Sequence, residues 1–264
     1  MTRCSDKFVF LDIDGTIYEP WLGVPDSTKE AIDKLKKNGH HPVISTGRTK
    51  AMIFPRIKEL DFDGILAGVG AYGEWSGETL FHEGLDPEDA FELVSNFELY
   101  GFNPFPEGVE FMYYDPKTCT DPEKTIKRIF SLEDGEIIKP YDRESSDVSK
   151  VSALFMDGAD MEGFKKTLNG RYHAINHHNV LLETFRVGVT KGLGIRKLID
   201  YLGADMENTF AYGDSFNDLE MLETVRYGVC MENGDPKLLA RIPLHAKRIE
   251  EDGIYYSLKE FGLI

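Results

Sequence analysis

Three cysteines in 264 residues, Cys4, Cys119 and Cys230, lie far apart and never in a Cys-x-x-Cys spacing, which argues against a disulfide framework and against a zinc site. Reduced thiols and a cytoplasmic setting follow as the expectation. No apolar run approaches the length of a bilayer-spanning helix, and the opening Met1-Thr2-Arg3-Cys4-Ser5-Asp6 has no apolar signal-peptide stretch behind it. Positive charge is scarce: 30 Lys and Arg stand against 46 Asp and Glu, a formal net charge of −16. That balance speaks against a nucleic-acid or acidic-membrane partner, since both bind through clustered Lys and Arg. Repeats and low-complexity segments are also missing. The length leaves room for one large domain or two modest ones, each with its own core.

What is present centres on Phe8-Val9-Phe10-Leu11-Asp12-Ile13-Asp14-Gly15-Thr16. Four consecutive apolar residues read as a strand buried on both faces, the kind found inside a parallel sheet covered by helices. Asp12 and Asp14 follow at its C-terminal end, where ligands sit in open α/β sheets, and Gly15 turns the chain. Ser27-Thr28-Lys29-Glu30 matches a capping box opening a helix that Asn38-Gly39 closes. A strand at Pro42-Val43-Ile44 ends in Ser45-Thr46-Gly47-Arg48, so a right-handed crossover sets a second polar loop beside the first. Residues 49–60 read as helix, restarted at Pro55. A strand at 64–67 precedes a hairpin with Ser76-Gly77 as its turn.

From there the texture changes for about a hundred residues. Asp86-Pro87 and Asp121-Pro122 open helices over 87–100 and 122–131. Strands are expected at 109–114 and 151–156, a helix at 160–168, and a hairpin around Asn176-His177-His178-Asn179. The βαβ pattern returns with a helix from Lys191 to Leu202, capped by Thr190 and closed by Gly203. A strand over 209–212 runs into Gly213-Asp214-Ser215-Phe216-Asn217-Asp218, and a helix starts at Leu219. Another strand at 227–231, a helix opened by Asp235-Pro236, and a last strand and helix complete the chain. The expected fold is α/β, a doubly wound, mostly parallel sheet built by residues 1–81 and 184–264, with an α+β domain inserted over 82–183.

Three strand ends thus carry Asp12 with Asp14, Thr46, and Asp214 with Asn217 and Asp218, while a helix start carries Lys191. Converging carboxylates repel one another, which raises some pKa values or demands a cation. Oxygen-only ligands favour a hard ion such as Mg²⁺. Asp12 is placed to attack phosphorus as a carboxylate nucleophile, and Asp14 to protonate the leaving alkoxide and later activate water. Thr46 and Lys191 would hold the phosphoryl oxygens.

The runs Asp12-Ile13-Asp14-Gly15-Thr16, Ser45-Thr46-Gly47-Arg48, Thr190-Lys191-Gly192 and Gly213-Asp214-Ser215-Phe216-Asn217-Asp218 resemble, in order, the four motifs of the haloacid dehalogenase-like phosphatases. The long insert, the Gly-Asp-x-x-Asn-Asp ending and the tail Glu250-Glu251-Asp252-Gly253-Ile254 resemble the Cof-type subfamily with a C2 cap. The resemblance implies Mg²⁺ held by Asp12, the main-chain carbonyl of Asp14 and Asp214, with Asp218 supporting the shell. It implies that Thr46 and Lys191 contact phosphate and that Gly47, Arg48 and Asn217 face the phosphate or its leaving group. Val69-Gly70-Ala71 stands where the family commonly has Asn-Gly-Ala, and Met231-Glu232-Asn233-Gly234-Asp235 replaces a run of small residues.

The leading expectation is a Mg²⁺-dependent phosphomonoester hydrolase acting on a small phosphorylated metabolite, with sugar phosphates the foremost class. A phosphosugar mutase uses the same aspartyl-phosphate, and a non-catalytic receiver-like or metabolite-binding module shares the acidic pocket, although a receiver lacks an inserted domain. Bland readings stand beside these. His40, His41, His177 and His178 read as surface or loop histidines, Cys230 as a buried small hydrophobe, and Arg186 as reaching either the crevice or an interdomain ion pair. Trp21 lines an entrance or covers a neighbouring core. Specificity is expected from the turn Asn176–Asn179 and from an irregular loop over Asn103–Glu110.

Overall fold

The computed structural model of the chain describes residues 6–130 and 137–264. Cys4 and position 131, the last residue of the helix expected over 122–131, lie outside the described residues. The chain runs β1 (Phe8–Leu11), α1 (Asp26–Lys37), β2 (His41–Ser45), α2 (Pro55–Lys58), β3 (Gly64–Ala67), β4 (Tyr72–Trp75) and β5 (Glu78–His82). There follow α3 (Pro87–Leu99), β6 (Phe102–Glu107), β7 (Met112–Tyr114), α4 (Pro122–Phe130), β8 (Ile138–Pro140), β9 (Lys150–Phe155), α5 (Met161–Thr167), β10 (Tyr172–His177) and β11 (Leu181–Arg186). Then come α6 (Lys191–Leu202), β12 (Thr209–Gly213), α7 (Leu219–Thr224), β13 (Tyr227–Met231), α8 (Pro236–Arg241), β14 (Leu244–Ala246) and α9 (Gly253–Glu260). These form two compact units, one made of Met1–Gly47, Pro55–Phe81 and Thr190–Ile264, the other of Arg48–Phe54 and His82–Val189.

The first unit holds an eight-stranded sheet in the order β14-β13-β12-β1-β2-β3-β4-β5. Six strands are parallel and β4 turns antiparallel to β3. β1 is interior, with Phe8 opposite both Thr209 and His41, and every residue of it is buried. An all-apolar strand is the form this position requires, because helices cover both faces of such a sheet. Phe8, Phe10, Val43, Leu66, Ile195, Leu198 and Ala211 pack one side of that core. The expected α/β sheet is therefore present. At the turn between β4 and β5, Ser76 and Gly77 both have positive φ, 50° and 82°, matching the twist of a two-residue hairpin.

One local expectation fails in α1. The helix starts at Asp26 behind Pro25, with no side-chain cap, and the Ser27 hydroxyl donates to Asp252 Oδ1 at 2.6 Å. A tertiary acceptor has taken the hydroxyl that the capping box would have used. By contrast Thr190 caps α6 through Leu193 N at 3.1 Å, and Gly203 closes it with φ 61°. His41 lies in β2 rather than in a surface loop. Its Nδ1 is 2.7 Å from Asp63 Oδ2, and its ring stacks on Phe8 with centroids 4.9 Å apart.

The second unit has a six-stranded sheet ordered β10-β11-β9-β6-β7-β8. The segment expected as an irregular loop over 103–110 is largely strand β6, fully buried despite Pro104 and Pro106. Gly101 O and Glu107 O accept from Met156 N and Ser149 N, so odd-numbered residues face β9. The two prolines occupy even positions, where the missing N–H would have pointed away from β9, towards the side on which Glu107 pairs with Met112 of β7. The first strand expected there, 109–114, is accordingly shorter, beginning at Met112. The turn at Asn176–Asn179 is a hairpin turn, with His178 and Asn179 both at φ 55° and His177 the last residue of β10. β11 pairs with β10 through Arg186, so position 184 lies inside a strand of this sheet. Arg186 sits 3.5 Å from Asp89, and that ion pair lies within the unit.

Buried charge is concentrated here at Lys150, which pairs with Glu183 and, at 3.4 Å, with Glu107. Ser152 donates to Glu107, and His177 Nε2 lies 3.1 Å from Glu183. Burial alone would raise the pKa of Glu183, but Lys150 and His177 overcome it and hold the carboxyl down to about 2.

Candidate active site

All the acids singled out in the sequence lie at C-terminal strand ends of the first unit's sheet. Asp12 follows β1 and keeps the strand's pairing, its N–H donating to Tyr212 O at 3.1 Å. Asp214 and Asp218 follow β12, and Lys191 opens α6, where the Thr190 cap fixes the first turn. Lys191 Nζ reaches Asp12 Oδ1 at 2.8 Å and Asp218 Oδ1 at 2.5 Å, with all three side chains buried. Residues 179 and 27 positions apart are thereby locked into one charged cluster.

Asp218 has a second task. Its Oδ2 accepts from Asp214 N and Ser215 N, both at 3.0 Å, so it folds the loop that carries Asp214. Asp214 is only partly buried, and Thr16 Oγ1 donates to its Oδ1 at 3.0 Å. Gly15, at φ 80°, passes so close that a Cβ there would stand 2.3 Å from Asp214 Oδ2. Glycine is required at that point twice over, by its backbone angle and by the carboxylate beside it.

Burial pushes the Asp12 carboxyl well above the ordinary carboxylate range, and Asp218 adds to the rise while Lys191 opposes it. Burial also raises Asp214, to about 7, with Asp218 again adding and Thr16 opposing. Burial would depress Lys191, but Asp12 and Asp218 outweigh it and drive its pKa upward. The cluster is therefore short of positive charge, with one ammonium facing three carboxylates. One oxygen from each of Asp12, Asp214 and Asp218 lies within 4.8 Å of the others. This oxygen-only donor set fits a small hard cation and offers nothing to a soft one.

The remaining candidates divide between the two units. Asp14 is exposed and is not among those three acids; it bridges to Tyr18 in the turn after Ile13. Thr46 is buried at the end of β2, its N–H donating to Leu66 O at 2.9 Å and its carbonyl accepting from Val69 N at 3.1 Å. A Cβ on Gly47 would come 3.6 Å from Asn217 Nδ2, which brings those two together. Asn217 is exposed, and its Oδ1 accepts from Ser215 Oγ at 2.6 Å. Arg48 begins the first segment of the other unit, where its guanidinium lies over the Phe54 ring at 4.3 Å and donates to Met52 O at 3.4 Å. Trp21 is exposed at 66% and so covers no neighbouring core.

Two contributors carried no role in the sequence reading. Thr16 sat inside the first acidic run, where an alternating pattern gives no hint of a partner 198 residues on. Asn233 donates through Nδ2 to Gly15 O at 2.7 Å. Its only local signal was the Asn-Gly pair that marks a turn.

Likeness to known proteins runs through nearly the whole chain. The chain matches the family model of the haloacid dehalogenase-like hydrolases over residues 9–258. The Bacillus subtilis (strain 168) protein YkrA, provisionally named a phosphatase, is 30% identical over 98% of this chain and 99% of its own length. A second protein of that organism, the 5-amino-6-(5-phospho-D-ribitylamino)uracil phosphatase YitU, is 26% identical over 96% of each chain. Among solved structures, the subclass IIB sugar phosphatase BT4131 superposes with a TM-score of 0.79 at 25% identity, over 98% of this chain and 100% of that one. Among the described residues no helix is long and apolar enough to cross a membrane. With the four motifs gathered on one sheet end and the match running through nearly the whole sequence, the chain belongs to the haloacid dehalogenase-like hydrolases.

Proposed function

We propose that this hydrolase cleaves small phosphomonoesters, sugar phosphates foremost, through an aspartyl-phosphate on Asp12. The observation that carries the reading is the buried contact of Lys191 with both Asp12 and Asp218, set beside Asp214. Lys191 fixes Oδ1 of Asp12, which leaves Oδ2 to attack phosphorus. The new O–P bond forms as the ester O–P bond breaks, and Asp14 gives its proton to the departing alkoxide. Asp14 then takes a proton from water, whose oxygen attacks the same phosphorus, releasing inorganic phosphate and regenerating the Asp12 carboxylate. Thr46, Lys191 and the Gly47 and Asn217 pair supply hydrogen bonds to phosphoryl oxygens, where the transition state spreads its negative charge.

Asp12, Asp214 and Asp218 are the side chains that would hold Mg²⁺, with the Asp14 carbonyl as a further oxygen. When bound, the ion supplies positive charge that ionises the buried acids and screens their repulsion from an anionic ester. A net charge of −16 does not oppose such a substrate, because at physiological salt charges are screened beyond about 8 Å. The sugar class is supported by the likeness to BT4131, while YitU makes phosphorylated ribitylaminopyrimidines the competing class.

The test is phosphate release from a chromogenic aryl phosphate and from a panel carrying both classes, with Mg²⁺ and with excess chelator. Metal-dependent release that is abolished in Asp12→Asn is the expected result. No metal-dependent release from any member of the panel would overturn the proposal.

A further inference from the structure

The turn after β13 touches the main chain of both acidic loops at once. Asn233 Nδ2 donates to Gly15 O at 2.7 Å, and Asp235 N donates to Asp214 O at 2.7 Å. Asn233 is itself anchored, its Oδ1 accepting from Ile249 N at 3.2 Å. The turn is closed by Gly234 N bonding to Met231 O at 2.8 Å. Space is tight: a Cβ on Gly234 would stand 2.5 Å from Asp214 O and 2.9 Å from Met231 O. Glu232 N in turn donates to Ala246 O at 2.9 Å, which ties the turn to β14.

These contacts reach carbonyls on the chain next to the acids rather than the carboxylates themselves. The loops after β1 and β12 share a direct side-chain link through Thr16, and the turn supplies an independent brace from the far side. We infer that Asn233 is a positioning residue, which together with Gly234 fixes the spacing between the Asp12–Gly15 loop and Asp214 and so sets the affinity of the acid cluster for a divalent cation. This rests on the reading of that cluster as the cation site. An amide is suited to the task because it donates and accepts at opposite sides in one fixed plane. Groups that orient ligands without touching the ion typically change its affinity by about 10–100-fold when removed.

The experiment titrates Mg²⁺ into purified protein and follows the rise in melting temperature, a readout that needs no turnover. Asn233→Asp keeps the acceptor for Ile249 N and loses the donor to Gly15 O; Asn233→Ala loses both; Gly234→Ala pushes on the Asp214 carbonyl without altering Asn233. Ser27→Ala, which removes the bond to Asp252 outside the site, is the control for ordinary loss of stability. The expected result is a Mg²⁺ midpoint at least about 10-fold higher in the Asn233 and Gly234 variants, and unchanged in Ser27→Ala whatever its melting temperature. If the wild type responds to Mg²⁺ and Asn233→Asp and Gly234→Ala stay within about twofold of it, the inference is overturned alone. If the wild type shows no response, the cation-site reading falls and this inference with it.

Discussion

Thr16 Oγ1 donates to Asp214 Oδ1 at 3.0 Å, joining the loop after β1 to the loop after β12. The hydroxyl is fully buried and favours the ionised form of Asp214 against a burial that opposes it. Thr16→Val keeps the shape and removes the donor. Asp214 should then hold its proton to a higher pH, and because a cation binds the ionised acid, Mg²⁺ binding should demand a higher pH as well. Midpoints of Mg²⁺-dependent stabilisation, measured from pH 5.5 to about 8.5, would show the acid limb displaced upward in the variant. Superimposable limbs would show that the hydroxyl does not tune this carboxyl.

Metal-free stability should respond to the same group in the opposite sense from most carboxylates. Asp214 has a folded-state value of about 7 against 3.8 for an ordinary Asp, so between those values the folded protein binds more protons than the unfolded chain. Its contribution is full below the unfolded value and is lost as pH rises through about 7. Asp214→Asn removes the titration. In chelator the variant should melt above wild type at about pH 8, with the gap closing towards about pH 4. A gap of equal size at both ends would contradict the assignment.

Lys191 is the buried cation between Asp12 and Asp218. Lys191→Met should cut kcat by about 100-fold or more, the scale seen when one donor to a developing oxyanion is lost. It should also destabilise the metal-free protein, since removing one partner of a buried pair costs about 3–5 kcal/mol. Asp218→Asn on that background should restore part of the stability and none of the rate. Urea midpoints with single-turnover kinetics separate the two effects.

Val69 has φ 60° and ψ 25° in the Gly68–Gly70 turn, a left-handed conformation that a β-branched residue resists by about 1–2 kcal/mol. It is also buried, so its side chain contributes about 1.5–3 kcal/mol of burial. Asn tolerates that backbone, and Val69→Asn should therefore cost less than about 1–2 kcal/mol, the strain relieved offsetting much of the lost burial. Val43→Asn, in β2 at ordinary strand angles, has no such offset and should cost several times as much. Equal losses at the two positions would argue against stored strain at Val69.

What could be read from the sequence were features whose cause is local. Phe8–Leu11 announced an interior strand by being apolar throughout, Thr190 and Gly203 bounded α6, and Asp235-Pro236 opened α8, where Asp235 accepts from Lys237 N at 2.7 Å. The acids were found because each follows such a strand. Features decided by a distant partner were not legible. Ser27 carried a capping signal but bonds to Asp252, and His41 carried a loop signal but stacks on Phe8. Pro104 and Pro106 argued against a strand, and only the pairing of odd-numbered β6 residues with β9 makes them harmless. Thr16 and Asn233 act at ranges of 198 and 218 residues, where no periodicity carries information.

The interior place of β1 has a consequence for how the protein is made. Its two neighbours arrive at very different times: β2 begins at His41, while β12 begins only at Thr209. At about 5–20 residues per second, roughly 10–40 s of synthesis separate Leu11 from the strand that closes its other side. Throughout that interval the strand destined for the middle of the sheet is an edge, apolar on both faces and with one row of amides and carbonyls unpaired. The strand that ends in Asp12 is thus the part of the nascent chain most in need of shielding on the ribosome, because, of the interior strands, it waits longest for its second neighbour.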